Sequence, residues 1–137
     1  MSGVEIKASA TDLHGMVTRT EADLFRFYEL CDKYKSLDFS RDADGLRECA
    51  SMLRGILVDG SSIMCQLSII RFSVYKFMKG LPERSTTAQW KIYMTELDTL
   101  IAGLRSVMFG YQEASKANRE LLFDMWSTEK RDKFQEE

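Results

Sequence analysis

The side chains that could carry out chemistry are few and widely separated. His14 is the only histidine in the 137-residue chain, and no serine or cysteine stands in a nucleophile motif. General acid–base and nucleophilic catalysis usually need a histidine or carboxylates placed in a shaped pocket. His14 is better explained as a surface or helix-start histidine. The sequence therefore predicts a protein that is not an enzyme and that acts on no small-molecule substrate.

The sequence also lacks the residue patterns of common metal-binding and phosphate-binding sites. One histidine argues against the common zinc sites. The segment 40–45 overlays the first six positions of a calcium-binding EF-hand loop, but the twelfth position would be Ser51 instead of the required glutamate. Asp42 and Asp44 are better explained as acids favoured at a helix N-terminus. Glycine-rich phosphate loops are absent from the sequence. No cofactor is predicted.

The three cysteines, Cys31, Cys49 and Cys65, show no paired spacing and lie within helical patterns. A redox or metal role would need a CxxC pair or nearby histidines. We interpret all three as reduced cysteines that act as small apolar residues, which predicts a cytoplasmic, reducing compartment.

Composition predicts one folded domain over residues 1–137. Hydrophobic residues make up 45% of the chain and charged residues 29%, which is ordinary for a globular protein. A net charge of −2 and a pI near 5.5 provide no basic field for nucleic acid. We find no window of about 18 uncharged apolar residues, so no membrane-spanning helix is predicted.

Apolar residues recur at three-, four- and seven-residue steps, as they do along one face of an amphipathic helix. Three long helices are predicted, at about 11–35, 41–79 and 86–130, with frayed ends at 1–9 and 131–137. Thr18-x-x-Glu21 matches a capping box, which would start the first helix later. The seven-residue series of the second and third helices are Leu46, Leu53, Gly60, Leu67, Val74 and Leu81, and Trp90, Leu97, Leu104, Tyr111, Asn118 and Met125.

The predicted fold class is all-α: an antiparallel bundle of three long helices with coiled-coil-like heptad packing. Breaks at Gly60 and Gly110 would give four or five shorter helices instead. Because the seven-residue phase passes through these glycines unchanged, three long helices are favoured. The only proline, Pro82, follows Gly80 and ends the second helix. Ser85, Thr86 or Thr87 can cap the third helix.

The stretch from Gly60 to Pro82 is the most unusual part of the sequence. It contains three basic residues and no acid, and its helix is apolar on two sides. One explanation is that this is the central helix, covered by the other two. The second is that one side receives an acidic partner helix or a second copy of the chain. On the third helix, the seam asparagine either fixes register or partner choice, or the seam ends near Tyr111. The predicted partner-binding residues are Ile69, Phe72, Tyr75, Lys76, Lys79 and Asn118.

The predicted function is a non-enzymatic helical interaction module, such as an adaptor, scaffold or assembly subunit. It would bind a protein partner, or a second copy of itself, through apolar helix faces. The alternative is a peripheral membrane-binding bundle that uses the basic apolar face of residues 61–81. Three positive charges are few for membrane attachment, so the protein partner is favoured over the membrane surface.

Overall fold

The computed structural model describes the backbone of residues 2–80 and 86–136, and the side chains of 13–80 and 88–133. Within these ranges the chain forms three α-helices and no strand. Helix α1 spans Ser2–Ser36, α2 spans Ala43–Lys79 and α3 spans Thr86–Glu136. The predicted all-α fold with three long helices is confirmed.

The start of α2 is set by a side-chain cap. The carboxylate of Asp42 accepts a hydrogen bond from the Gly45 N–H at 2.7 Å and one from the Ser40 hydroxyl at 2.8 Å. The Gly45 bond, followed by the Ser40 bond, lowers the pKa of Asp42. A Cβ at Gly45 would overlap the Ser40 carbonyl group, so only glycine permits this close approach. Helix α2 therefore begins at Ala43 with Asp42 as its N-cap, close to the predicted start at residue 41.

The outer ends of α1 and α3 differ from the prediction. The backbone is helical at residues 2–9 and 131–136, where frayed ends were expected. No proline interrupts either segment, and each residue added to an existing helix gains a hydrogen bond. Glu129 and Lys133 also stand four residues apart, in the order that supports a helix.

The capping-box alternative for α1 is wrong. Thr18 lies inside the helix, and its hydroxyl donates a hydrogen bond to the His14 carbonyl at 3.0 Å. The side chains of the predicted caps of α3, Ser85, Thr86 and Thr87, lie outside the described residues, as does Pro82.

The helices continue through their glycines. Gly60 lies within α2 and Gly110 within α3, so the four- or five-helix form is excluded. Gly60 is buried, and a Cβ there would lie 3.1 Å from the Phe27 ring and closer still to the Met108 side chain. This glycine therefore serves close packing of three helices and does not end the helix.

Consecutive helices run in opposite directions. Thr20 of α1 contacts Gln66 of α2 at 2.8 Å, and Tyr34 contacts Cys49 at 3.9 Å, so residue numbers fall along α2 as they rise along α1. Arg71 pairs with Asp98 of α3, while Leu46, an earlier residue of α2, meets the later residue Asn118. The interlocking of side chains expected in a coiled coil stays a prediction.

Helix α2 packs against both other helices. In the described part of the chain, no Cα of α1 comes within 8 Å of a Cα of α3, and these two helices meet through long side chains such as Tyr34 and Tyr111. The buried core consists of Phe27, Cys31, Cys49, Leu53, Ile56, Ile63, Leu67, Ile70, Val74, Leu97, Ile101, Leu104, Met108 and Tyr111.

Candidate interaction surface

The exposed side of α2 carries the residues that the sequence singled out. We call Ile69, Phe72, Tyr75, Lys76 and Lys79 the outer strip. All five are exposed, and the three large apolar side chains retain between 44% and 57% of their accessible surface. The opposite side of α2 is buried at Gly45, Cys49, Leu53, Ile56, Gly60, Ile63, Leu67, Ile70 and Val74.

The outer strip remains open because α1 and α3 both pack on the buried side of α2. The explanation that the flanking helices cover both apolar sides is therefore wrong for the outer strip. Cys65, one turn before Ile69, is also exposed, whereas Cys31 and Cys49 are buried as small apolar residues. Four exposed apolar side chains thus follow one another along a single helix face.

Two lysines of the outer strip lie over aromatic rings. The Lys76 ammonium is 5.1 Å from the centre of the Phe72 ring, and the Lys79 ammonium is 4.9 Å from that of Tyr75. Exposed cation–π contacts of this kind are weak, at about 0.5–1 kcal/mol. They keep the positive charges beside the apolar surface. Because α2 has no acid after Asp59, its outer strip is both basic and apolar.

Asn118 does not belong to this surface, which corrects the prediction that it binds a partner. It is only 6% exposed, and its side-chain amide donates a hydrogen bond to the Leu46 carbonyl at 2.9 Å. The buried seam of α3 therefore continues past Tyr111. The asparagine joins α3 to the first turn of α2. Any register that it fixes is therefore the alignment of α3 with α2, and not that of a partner helix.

Asn118→Asp is expected to lower the free energy of unfolding by about 1–2 kcal/mol at neutral pH. A carboxylate would replace a donor with an acceptor facing the Leu46 carbonyl, and burial would raise the pKa of that new acid above its unfolded value. The loss should shrink as pH falls through the raised pKa, because the protonated acid can donate again. Urea unfolding between pH 4 and 7 measures it, with exposed Gln112→Glu as the control.

A second feature of α2 escaped the sequence-based prediction. A groove of about 750 Å³ runs between α2 and α3, and we call it the arginine groove. Its walls carry Arg47 and Arg54 from α2 and Arg119 from α3, and none of its lining residues is acidic. The other lining residues are Ala50, Leu57, Val58 and three serines. The sequence signal for this groove is the seven-residue spacing of Arg47 and Arg54, since the third arginine comes from another helix.

Potential metal ligands do not cluster among the described side chains. No group of three His, Cys, Asp or Glu residues is close enough to hold a metal ion in that part of the chain. Burial raises the pKa of Tyr34 and of Tyr111, which moves both phenols away from neutral pH. Asp23 is held by hydrogen bonds from Gln66 and Arg26, which lower its pKa.

Helix α2 contains a window with a mean hydropathy of 1.3, long and apolar enough to cross a membrane by length and composition alone. The sequence-based prediction concerned windows without charged residues, and every 18-residue window of α2 contains at least one charged residue. The central helix of a soluble bundle meets the same criteria. Here one third of the window is buried within the protein.

Known proteins provide no further guide. No protein-family model, curated protein or solved structure matches this chain. The functional argument therefore depends on the two surfaces described above.

Proposed function

We propose that this protein is a helical interaction module that binds a partner protein through the outer strip of α2. The observation that supports it best is the exposure of Ile69, Phe72 and Tyr75 on a helix whose other side is fully packed. Single exposed apolar residues are ordinary, but a contiguous row on one helix marks a contact surface. An amphipathic partner helix has the shape to cover such a row, with anchors at three- and four-residue spacing.

The alternative function is attachment to an anionic membrane surface through the same strip. Lys76 and Lys79 favour it, since each basic residue near such a surface contributes about 1 kcal/mol. Only these two lysines and the ion-paired Arg71 are available between Gly60 and Lys79. A protein partner can gain from apolar contact along the whole strip and does not depend on so small a charge. We therefore favour the protein partner.

Phe72→Glu is expected to abolish partner binding without unfolding the protein, because the side chain is 57% exposed. The matched control is Ile92→Glu, which places the same charge at an equally exposed apolar site of α3. The tagged 137-residue chain and both variants would be used for quantitative capture from cells. A partner that is retained by the control and lost with Phe72→Glu would then be purified and mixed with the protein.

The purified complex should protect the exposed Cys65 thiol from alkylation, since Cys65 lies one turn from Ile69. Light scattering on the isolated protein tests self-association as the alternative occupant. Pelleting with vesicles of phosphatidylcholine and phosphatidylserine, lost in Phe72→Glu, would favour the membrane function. Equal capture by Phe72→Glu and Ile92→Glu would disprove the proposal.

A further inference from the structure

The arginine groove places like charges on its two walls. Leu46 and Asn118 are joined by a hydrogen bond across α2 and α3, and the next residue on each helix is an arginine that lines the groove. Arg54 follows Arg47 by two helical turns on the same wall. Among the described residues, neither Arg54 nor Arg119 forms an ion pair, and Arg47 pairs only with the exposed Asp44.

This charge pattern does not help the fold. Residues that flank the seam between two packed helices commonly carry opposite charges, whose attraction supports the pairing. Arg47 and Arg119 instead bring the same charge to a shared groove, so no attraction between them supports the pairing. Nearer the other end of α2 the pattern is the ordinary one, because Arg71 pairs with Asp98 of α3. The charges of the arginine groove are therefore better explained by binding of an anionic ligand than by the stability of the isolated protein.

The chemistry of the groove indicates which ligand. Guanidinium groups pair with carboxylates through two parallel hydrogen bonds. Ala50 lies between Arg47 and Arg54, and Leu57 and Val58 line the groove beyond Arg54, so a chain of phosphates would leave apolar surface uncovered. An amphipathic helix offers acids and aliphatic side chains together. Arg47 and Ser61 are about 21 Å apart along α2, the length of four helical turns.

We propose that the arginine groove binds an acidic amphipathic helix of a partner protein. The ligand helix presents aliphatic residues to Leu57 and Val58 and carboxylates, seven residues apart, to Arg47 and Arg54. Arg119 contacts the same helix from α3. This inference rests on the proposed function in one respect, that the partner is helical, and it adds the chemistry of the ligand at a second part of α2.

The probe is a fluorescent helical peptide of about 20 residues with a leucine stripe and glutamates seven apart, and its binding is followed by anisotropy. A second peptide has lysine in place of each glutamate. The 137-residue chain should bind the glutamate peptide at least about tenfold more tightly than the lysine peptide, and the affinity for the glutamate peptide should fall between about 50 and 200 mM salt. Arg54→Glu and Arg119→Glu should each weaken that binding about tenfold and improve binding of the lysine peptide.

The matched control is Arg19→Glu, an exposed arginine on α1 that should leave both affinities unchanged. Circular dichroism of each variant shows whether it is folded. Binding that is insensitive to Arg54→Glu but lost in Phe72→Glu would overturn the inference while supporting the proposed function. Equal affinity for both peptides, or no binding of the glutamate peptide, would also overturn it. So would tighter binding of a single-stranded oligonucleotide, or of phosphatidylserine vesicles, that is lost in Arg54→Glu.

Discussion

Phe27→Ala is expected to lower the free energy of unfolding by about 3–5 kcal/mol. Phe27 is 1% exposed and belongs to the largest fully buried side chains. Its ring fits over Gly60 of α2, where Met108 of α3 also packs. Truncation would therefore leave a cavity where all three helices converge, and the rigid backbones around Gly60 would close it only in part. Urea unfolding monitored by circular dichroism measures the loss.

Phe25→Ala is the matched control, since the same residue type two positions earlier is 66% exposed. Its effect should stay within about 0.5 kcal/mol. In Phe27→Ala, hydrogen exchange should quicken more in α1 than in α2, because the backbone of α1 packs on α2 alone. Equal losses for the two alanine variants would show that Phe27 is not in the core.

Gly60→Ala and Gly55→Ala are expected to change stability in opposite directions, with a difference of about 2 kcal/mol, because the helix gain is common to both and only Gly60→Ala incurs the cost of overpacking. Alanine normally stabilises a helix interior relative to glycine by about 0.5–1 kcal/mol. This gain should appear at Gly55, where an added methyl group would meet no packing neighbour within 4 Å. At Gly60 the added methyl group meets Phe27 and Met108, and overpacking costs about 1–3 kcal/mol.

Thermal unfolding of the two variants measures both changes with the same substitution in the same helix. Met108→Ala gives a further control because it shortens the side chain at the contact. In a protein that already carries Met108→Ala, the substitution Gly60→Ala should lower stability less than it does in the unsubstituted protein. A rise in stability for Gly60→Ala would mean that this glycine has no packing role.

Helix length and the buried seam could be predicted because they depend on a repeating pattern. The series through Leu53, Gly60 and Leu67 kept one phase, and the structure buries these three residues together. The role of Gly60 itself could not be predicted. A glycine in the sequence shows only that a side chain is missing. The reason for its absence is that Phe27 of α1 and Met108 of α3 occupy the space beside Gly60.

The candidate site was predictable in part for a similar reason. The absence of acids after Asp59 pointed to the outer strip, whose residues are indeed exposed. Asn118 was misplaced because a seam position can face either another helix of the chain or a partner, and spacing alone does not separate them. The arginine groove needs residues from two helices, and their meeting depends on the register that Leu46 and Asn118 set.

The central position of α2 couples the two halves of the protein. Nearly all packing is between helices that follow each other in the chain, as in a short array of repeats where each unit contacts only its neighbours. A ligand held along α2 would stiffen a helix that belongs to both pairs at once. We therefore expect ordering at the outer strip or in the arginine groove to reach α1 and α3, although these two helices share no backbone contact in the described part of the chain.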